Sequence, residues 1–171
     1  MRKTQKSLIT TLFALYALLL AGVILFKLPF YSDFSERARV VNLVPFQGVG
    51  EGAARHEILL NILLFVPFGL YLSMLRGEWP FFVRLLPIFA ASLAFELLQF
   101  AFGIGISDLS DLIGNTLGGA LGIGAFALLR RLLKGRVLPV LSAFALAATG
   151  YALVCFGYLF FLSHFVMAQP Q

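Results

Sequence analysis

The chain has 171 residues, of which 60% are hydrophobic and only 12% charged, and its mean hydropathy is +0.94. So little polar surface excludes a soluble globule and identifies an integral membrane protein, read as a single membrane domain over residues 1–171. The formal net charge of +5 is what membrane topology and attraction to anionic lipid require, so it does not argue for a nucleic-acid partner.

The first apolar run, about 8–28, follows Arg2, Lys3 and Lys6. That start resembles a signal peptide. The run is long enough to span a bilayer and has no small-x-small cleavage site, which favours an uncleaved first span. Residues 29–56 are broken by Pro29, Pro45, Gly48, Gly50 and Gly52. Within them the amphipathic stretch Arg39–Phe46 is expected to lie along the outer interface or dip into it. A second span follows at 57–75, with Pro67 expected to bend it. Gly77-Glu78-Trp79-Pro80 forms a turn anchored by Trp79, before a third span at 82–102 with Pro87 in its first turns. The fourth span, 109–129, carries Gly114, Gly118 and Gly122 at helical spacing, a groove where a second backbone can approach, from this chain or from a homo- or hetero-oligomeric partner. The fifth, 137–162, holds Cys155. As the single cysteine it cannot form an intramolecular disulfide. The fold class is therefore all-α, a bundle of about five transmembrane helices, with no internal repeat evident.

Basic residues set the orientation. Arg2, Lys3, Lys6, Arg76, Arg84, Arg130, Arg131, Lys134 and Arg136 fall on one side, against Lys27, Arg37, Arg39 and Arg55 on the other. The richer side should be cytoplasmic, which puts the amino terminus inside and the carboxy terminus outside.

On that threading, Glu57, Asn61, Glu96, Gln99, Asp108, Asp111 and Asn115 all lie near the outer face. Polar groups at this depth are costly and need a reason. At about 1.5 Å of rise per residue, Asn61 lies roughly 6 Å inward of Glu57, and Asn115 the same distance inward of Asp111. Arg37, Arg39, Arg55 and His56 hang from the same side and could pair with them. Structural roles compete with ligand binding at each position. Asp108 or Asp111 could cap the fourth helix, Glu57 could be a first-turn acid, and Asn61 and Asn115 could be hydrogen-bond glue between helices. Glu96, well inside a helix, needs no capping role, and so must protonate or find a partner such as an arginine. No zinc-type Cys/His cluster and no nucleotide-binding glycine loop occurs, so no cofactor and no metal site is implied.

Four ordered motifs carry a family resemblance: Asn42-Leu43-Val44-Pro45-Phe46; Asn61 with Phe65-Val66-Pro67-Phe68-Gly69; Glu96-Leu97-Leu98-Gln99; and Asp108-Leu109-Ser110-Asp111 followed by Asn115-Thr116-Leu117-Gly118. Together they resemble the VanZ-like family over about residues 39–125. The family often has an arginine just before the paired aspartates. Here Gly103-Ile104-Gly105-Ile106-Ser107 stands in its place, which makes Arg39 or Arg55 the substitute. The resemblance implies a multi-pass protein of the bacterial cytoplasmic (plasma) membrane, in a family whose founding member is associated with low-level resistance to teicoplanin, a lipid-tailed glycopeptide.

Two functions are expected from these residues. The first is a non-enzymatic protein whose outer-leaflet polar cleft, built from Arg39, Asn42, Arg55, Glu57, Asn61, Glu96, Gln99, Asp108, Asp111 and Asn115, binds a membrane lipid, a lipid-linked envelope precursor or a lipoglycopeptide. The alternative is an enzyme acting on a lipid-linked substrate, with Glu96, Asp108, Asp111 and His56 as acid, base or ligands of a divalent cation. A proton-coupled transporter fits less well, because the polar residues gather at one side rather than forming a path across.

Overall fold

A computed structural model describes residues 3–25, 40–46, 52–103 and 106–161, and these described residues form five long helices and two short strands. In chain order these are α1 (Lys3–Leu25), β1 (Val40–Asn42), α2 (Gly52–Leu75), α3 (Phe81–Phe102), β2 (Ile106–Asp108), α4 (Leu109–Leu133), a 3-10 turn (Lys134–Arg136) and α5 (Val137–Phe161). Among the described residues, four segments are long and apolar enough to cross a membrane: Lys3–Leu25, Arg55–Leu75, Phe81–Phe102 and a 46-residue stretch, Leu109–Val154, that contains both α4 and most of α5. The helices carry little polar backbone to the outside because each satisfies its own N–H and C=O groups.

The tightest relationship in the bundle is between α2 and α4. Asn61 meets Asp111, Ile62 lies against Gly118, and Val66 lies against Gly122, so the two helices run parallel. A Cβ at Gly118 would overlap the Ile62 carbonyl, one at Gly122 the Val66 carbonyl, and one at Gly69 the Gly119 carbonyl. Only glycine permits backbones this close. The groove expected to admit a second backbone, from this chain or a partner, is thus filled by α2 of the same chain. Gly114 is looser, with a Cβ there 3.7 Å from the Asn61 Cβ.

Around this pair, α1 and α3 close one layer. Leu20, Ile24, Phe65, Phe68, Leu72, Ile88 and Ile123 form one buried cluster. A second cluster joins Ile9, Leu12, Tyr71, Met74, Phe126 and Val137, with Leu138, Leu141 and Ala145 of α5 packed on it. Because residues from the end of α4 and the start of α5 share that cluster, the chain reverses at the 3-10 turn, where Lys134 has φ 49. Helix α2 continues through Pro67, which has no N–H to give to the previous turn. One turn before it, the Tyr16 hydroxyl of α1 donates to the Leu64 carbonyl.

Two strands interrupt the expected all-helical pattern. Val40, Val41 and Asn42 pair in parallel with Ile106, Ser107 and Asp108. The stretch expected to lie along the interface is therefore hydrogen-bonded to the segment between α3 and α4. The result is two strand–helix units, β1–α2 and β2–α4, with parallel strands and parallel helices, a likeness that the sequence does not advertise.

Candidate functional site

The site is built where α3 stops and β2 begins. Gly103 caps α3 in the left-handed region at φ 62, with its N–H reaching the carbonyls of Gln99 and Phe100. A glycine suits this position because it has no Cβ to clash. The chain then turns into β2, whose backbone is no longer satisfied within a helix. Non-helical backbone at the level of membrane spans persists only where the protein itself supplies partners. The polar side chains do so. Asp108 N–H donates to Glu96 Oε2 at 2.9 Å, and Ser107 Oγ donates to the Glu96 carbonyl at 2.8 Å. Ser110 N–H donates to Asp108 Oδ1 at 2.7 Å, making Asp108 the cap of α4.

Strand β1 is held from the same centre. Asn42 Nδ2 donates to Asp108 Oδ2 at 3.0 Å, and Asn42 Oδ1 accepts from Val44 N–H at 3.1 Å. Phe46, with φ 61, gives its N–H to Ser110 Oγ at 2.9 Å. Both oxygens of Asp108 are thus engaged by the chain, one on a helix start and one on the neighbouring strand.

A second tier lies deeper. Asn61 Nδ2 donates to Asp111 Oδ1 at 2.7 Å, tying α2 to α4 beside the glycine contacts. Asn115 Nδ2 donates to Ser92 Oγ at 2.9 Å, tying α4 to α3. Gln99 Nε2 donates at 3.0 Å to the carbonyl of Ile24 in the last turn of α1. Two amide oxygens, Gln99 Oε1 and Asn115 Oδ1, are buried without a hydrogen-bond partner among the described residues.

The sequence-derived candidates therefore divide. Asn42, Asn61, Glu96, Gln99, Asp108, Asp111 and Asn115 are brought together as an interlocking network. Arg55, His56 and Glu57 are exposed at the start of α2, and Arg39 lies outside the described residues. Asn42 and Asp108 are half-exposed at the edge of the network. Beside them Leu43 is 71% and Val44 58% exposed, so polar groups and apolar side chains share one rim. The structural readings of Asp108 as a cap and of Asn61 and Asn115 as interhelical glue are realised. Glu96 serves a backbone amide that its position in the sequence could not reveal.

Sequence reading passed over Ser92, Ser107 and Ser110. A signal existed for the first. Ile88, Ser92, Glu96 and Gln99 recur every three or four residues and form the buried face of α3. Ser107 and Ser110 matter through β2, and three residues are too few to announce a strand. The catalytic candidates Glu96, Asp108, Asp111 and His56 do not form a cation site in this geometry, since among the described residues no three His, Cys, Asp or Glu side chains are grouped to hold a metal.

An α-helical bundle with membrane-length segments, its polar residues concentrated around a strand pair at one end, is the class of protein these features define. The family can be stated too: the chain belongs to the VanZ/LLP1 family, whose model matches residues 13–130. It is 39% identical over 119 residues to Protein VanZ of Enterococcus faecium, an alignment covering 68% of this chain and 72% of that protein. No solved structure matches. The matched region begins in α1, upstream of the motifs that carry the resemblance in the sequence, and includes every residue of the network. The chain is thus a VanZ-like bacterial membrane protein.

Proposed function

We propose that this is a multi-pass plasma-membrane protein with five crossings, its amino terminus in the cytoplasm, whose network end faces outward and binds the head group of an envelope lipid or a lipoglycopeptide. Through that binding it contributes to glycopeptide resistance, with teicoplanin the drug that the family resemblance suggests. The observation that carries the reading is the mixed rim. Exposed Arg55, His56 and Glu57 bring charged and polar side chains to that end, while Leu43, Val44 and Phe46 bring exposed apolar surface. An amphiphile needs both. The network beneath works as a rigid floor, since both oxygens of Asp108, Glu96 Oε2 and Asp111 Oδ1 accept from the chain's own donors.

This division decides how to test the idea. Glu96 and Asp111 hold the fold, so their variants would confuse binding with stability; the rim residues are the informative ones. The chain and an Arg55→Gln/Glu57→Gln variant would be expressed in a teicoplanin-sensitive bacterium, with bound amphiphiles identified by native mass spectrometry of the extracted protein. The expected result is reduced teicoplanin susceptibility with wild type, no change toward a glycopeptide lacking a lipid tail, and loss of both effect and bound amphiphile in the variant. Unchanged susceptibility together with no amphiphile on either protein would overturn the reading.

A further inference from the structure

At the end of the bundle opposite the network, a cavity of about 400 Å³ is lined by Gly77, Arg84, Phe126, Ala127, Arg130 and Arg131. Its charged lining is arginine alone, contributed by two helices. Arg84 reaches across from α3 to α2, where its Nη1 donates to Ser73 Oγ at 2.9 Å, and Ser73 is fully buried. Arg84 Nε is buried as well and has no hydrogen-bond partner among the described residues. The Arg130 guanidinium lies over Gly77, close enough that a Cβ there would be 3.9 Å from Arg130 Nη1.

Guanidinium groups that converge on one pocket repel each other unless an anion lies between them. Their planar donor forks match the oxygens of a phosphate. The depth of the pocket indicates where such a phosphate comes from. Arg84 is three residues into α3, or about 4.5 Å from its start, and Arg130 is the same distance from the end of α4. That is the level of lipid phosphates for helices that begin and end at the membrane surface. On the same two helices Phe82, Leu86, Leu128 and Leu132, each two positions from Arg84 or Arg130, are exposed apolar side chains on the outward faces, where acyl chains can lie. Arg76 is stacked 5.1 Å above the Trp79 ring in the adjoining turn, an arrangement suited to the interface.

We infer that Arg84, Arg130 and Arg131 form a binding site for the phosphate of an anionic phospholipid, in the leaflet opposite the one that the network end faces. The Arg84 and Arg130 guanidinium groups donate to the phosphate oxygens, and the acyl chains lie on the outer faces of α3 and α4. On the proposed orientation this is the cytoplasmic leaflet. The site stands whether or not the rim at the other end binds an amphiphile.

The test uses the full chain in a neutral detergent, titrated separately with phosphatidylglycerol, phosphatidylcholine and inorganic phosphate, with bound species counted by native mass spectrometry. Phosphatidylglycerol should bind saturably and phosphatidylcholine should not. Arg84→Gln and Arg130→Gln should each weaken it by about tenfold or more, the loss expected for one charge-assisted hydrogen bond. Arg136→Gln, in the exposed turn outside the pocket, serves as the control and should leave affinity unchanged. Arg130 is exposed and its variant is expected to fold even if Arg84→Gln does not. Equal affinity in Arg130→Gln and wild type would overturn the site. Displacement of the lipid by inorganic phosphate at equal concentration would also overturn it, by assigning the pocket to a soluble anion.

Discussion

Asn42 and Asp108 are paired twice, as register partners in β1 and β2 and through the 3.0 Å bond from Asn42 Nδ2 to Asp108 Oδ2. The second contact locks the first. Two residues distant in the chain thereby tie the entry to α2 to the entry to α4, and those two helices then run parallel and in backbone contact.

Asp108 also caps α4, so its loss should cost more than the loss of Asn42. Removing a cap costs about 0.5–2 kcal/mol, to which the strand contact adds. Asn42→Ala and Asp108→Ala, measured with the double variant by thermal unfolding in detergent, should show a coupling of about 0.5–3 kcal/mol. Strict additivity would mean that the side-chain pair does not hold the strands.

Glu96 accepts from the Asp108 amide through Oε2. Glu96→Gln keeps an acceptor of the same shape, whereas Glu96→Ala leaves that amide without it. Hydrogen exchange at Asp108 should rise strongly in the alanine variant and only slightly in the glutamine variant, with a stability loss of about 1.5–3 kcal/mol for alanine. Equal exchange in the two variants would contradict the assignment.

The glycines of α4 should differ in tolerance although they look alike in sequence. Gly118→Ala drives a methyl into the Ile62 carbonyl and should cost about 1–3 kcal/mol. Gly114→Ala meets only ordinary contacts, and Gly124→Ala meets nothing within 4 Å. Thermal unfolding of the three should rank Gly118→Ala far below the others, with Gly124→Ala at or above wild type because alanine favours the helix.

Ser92 satisfies Asn115 Nδ2 in the core. Ser92→Ala leaves a buried amide donor without its acceptor and should destabilise by about 1–3 kcal/mol. Ser92→Ala combined with Asn115→Leu removes both partners and should recover part of the loss, as read from the same melting curves. A double variant less stable than Ser92→Ala would show that Asn115 contributes through another contact.

The proposed orientation has its own check. In a Cys155→Ala background, cysteines placed at Glu57 and at Lys134 should be labelled by a membrane-impermeant reagent in whole cells only at Glu57. Labelling at Lys134 would reverse the orientation.

Much of this protein is legible in its sequence. Apolar runs bounded by turns and charges mark the helices, because a span must be long and apolar and its ends must not be. The motifs around Asn42, Asn61, Glu96, Asp108 and Asn115 mark the family. The polar residues announce one end of the bundle, since each is too costly to bury without a partner. What only the tertiary structure decided is who the partners are. The glycine row of α4 looked open to any backbone, and α2 of the same chain fills it. The acidic residues looked available for chemistry or ligand; Glu96 accepts from the β2 backbone, Asp108 from the α4 start and from Asn42, and Asp111 from Asn61. Three-residue strands carry no periodicity that can be read locally. Their pairing joins residues 66 positions apart, and a hydrogen bond over that separation exists only once the parallel packing of α2 and α4 has brought its two ends together.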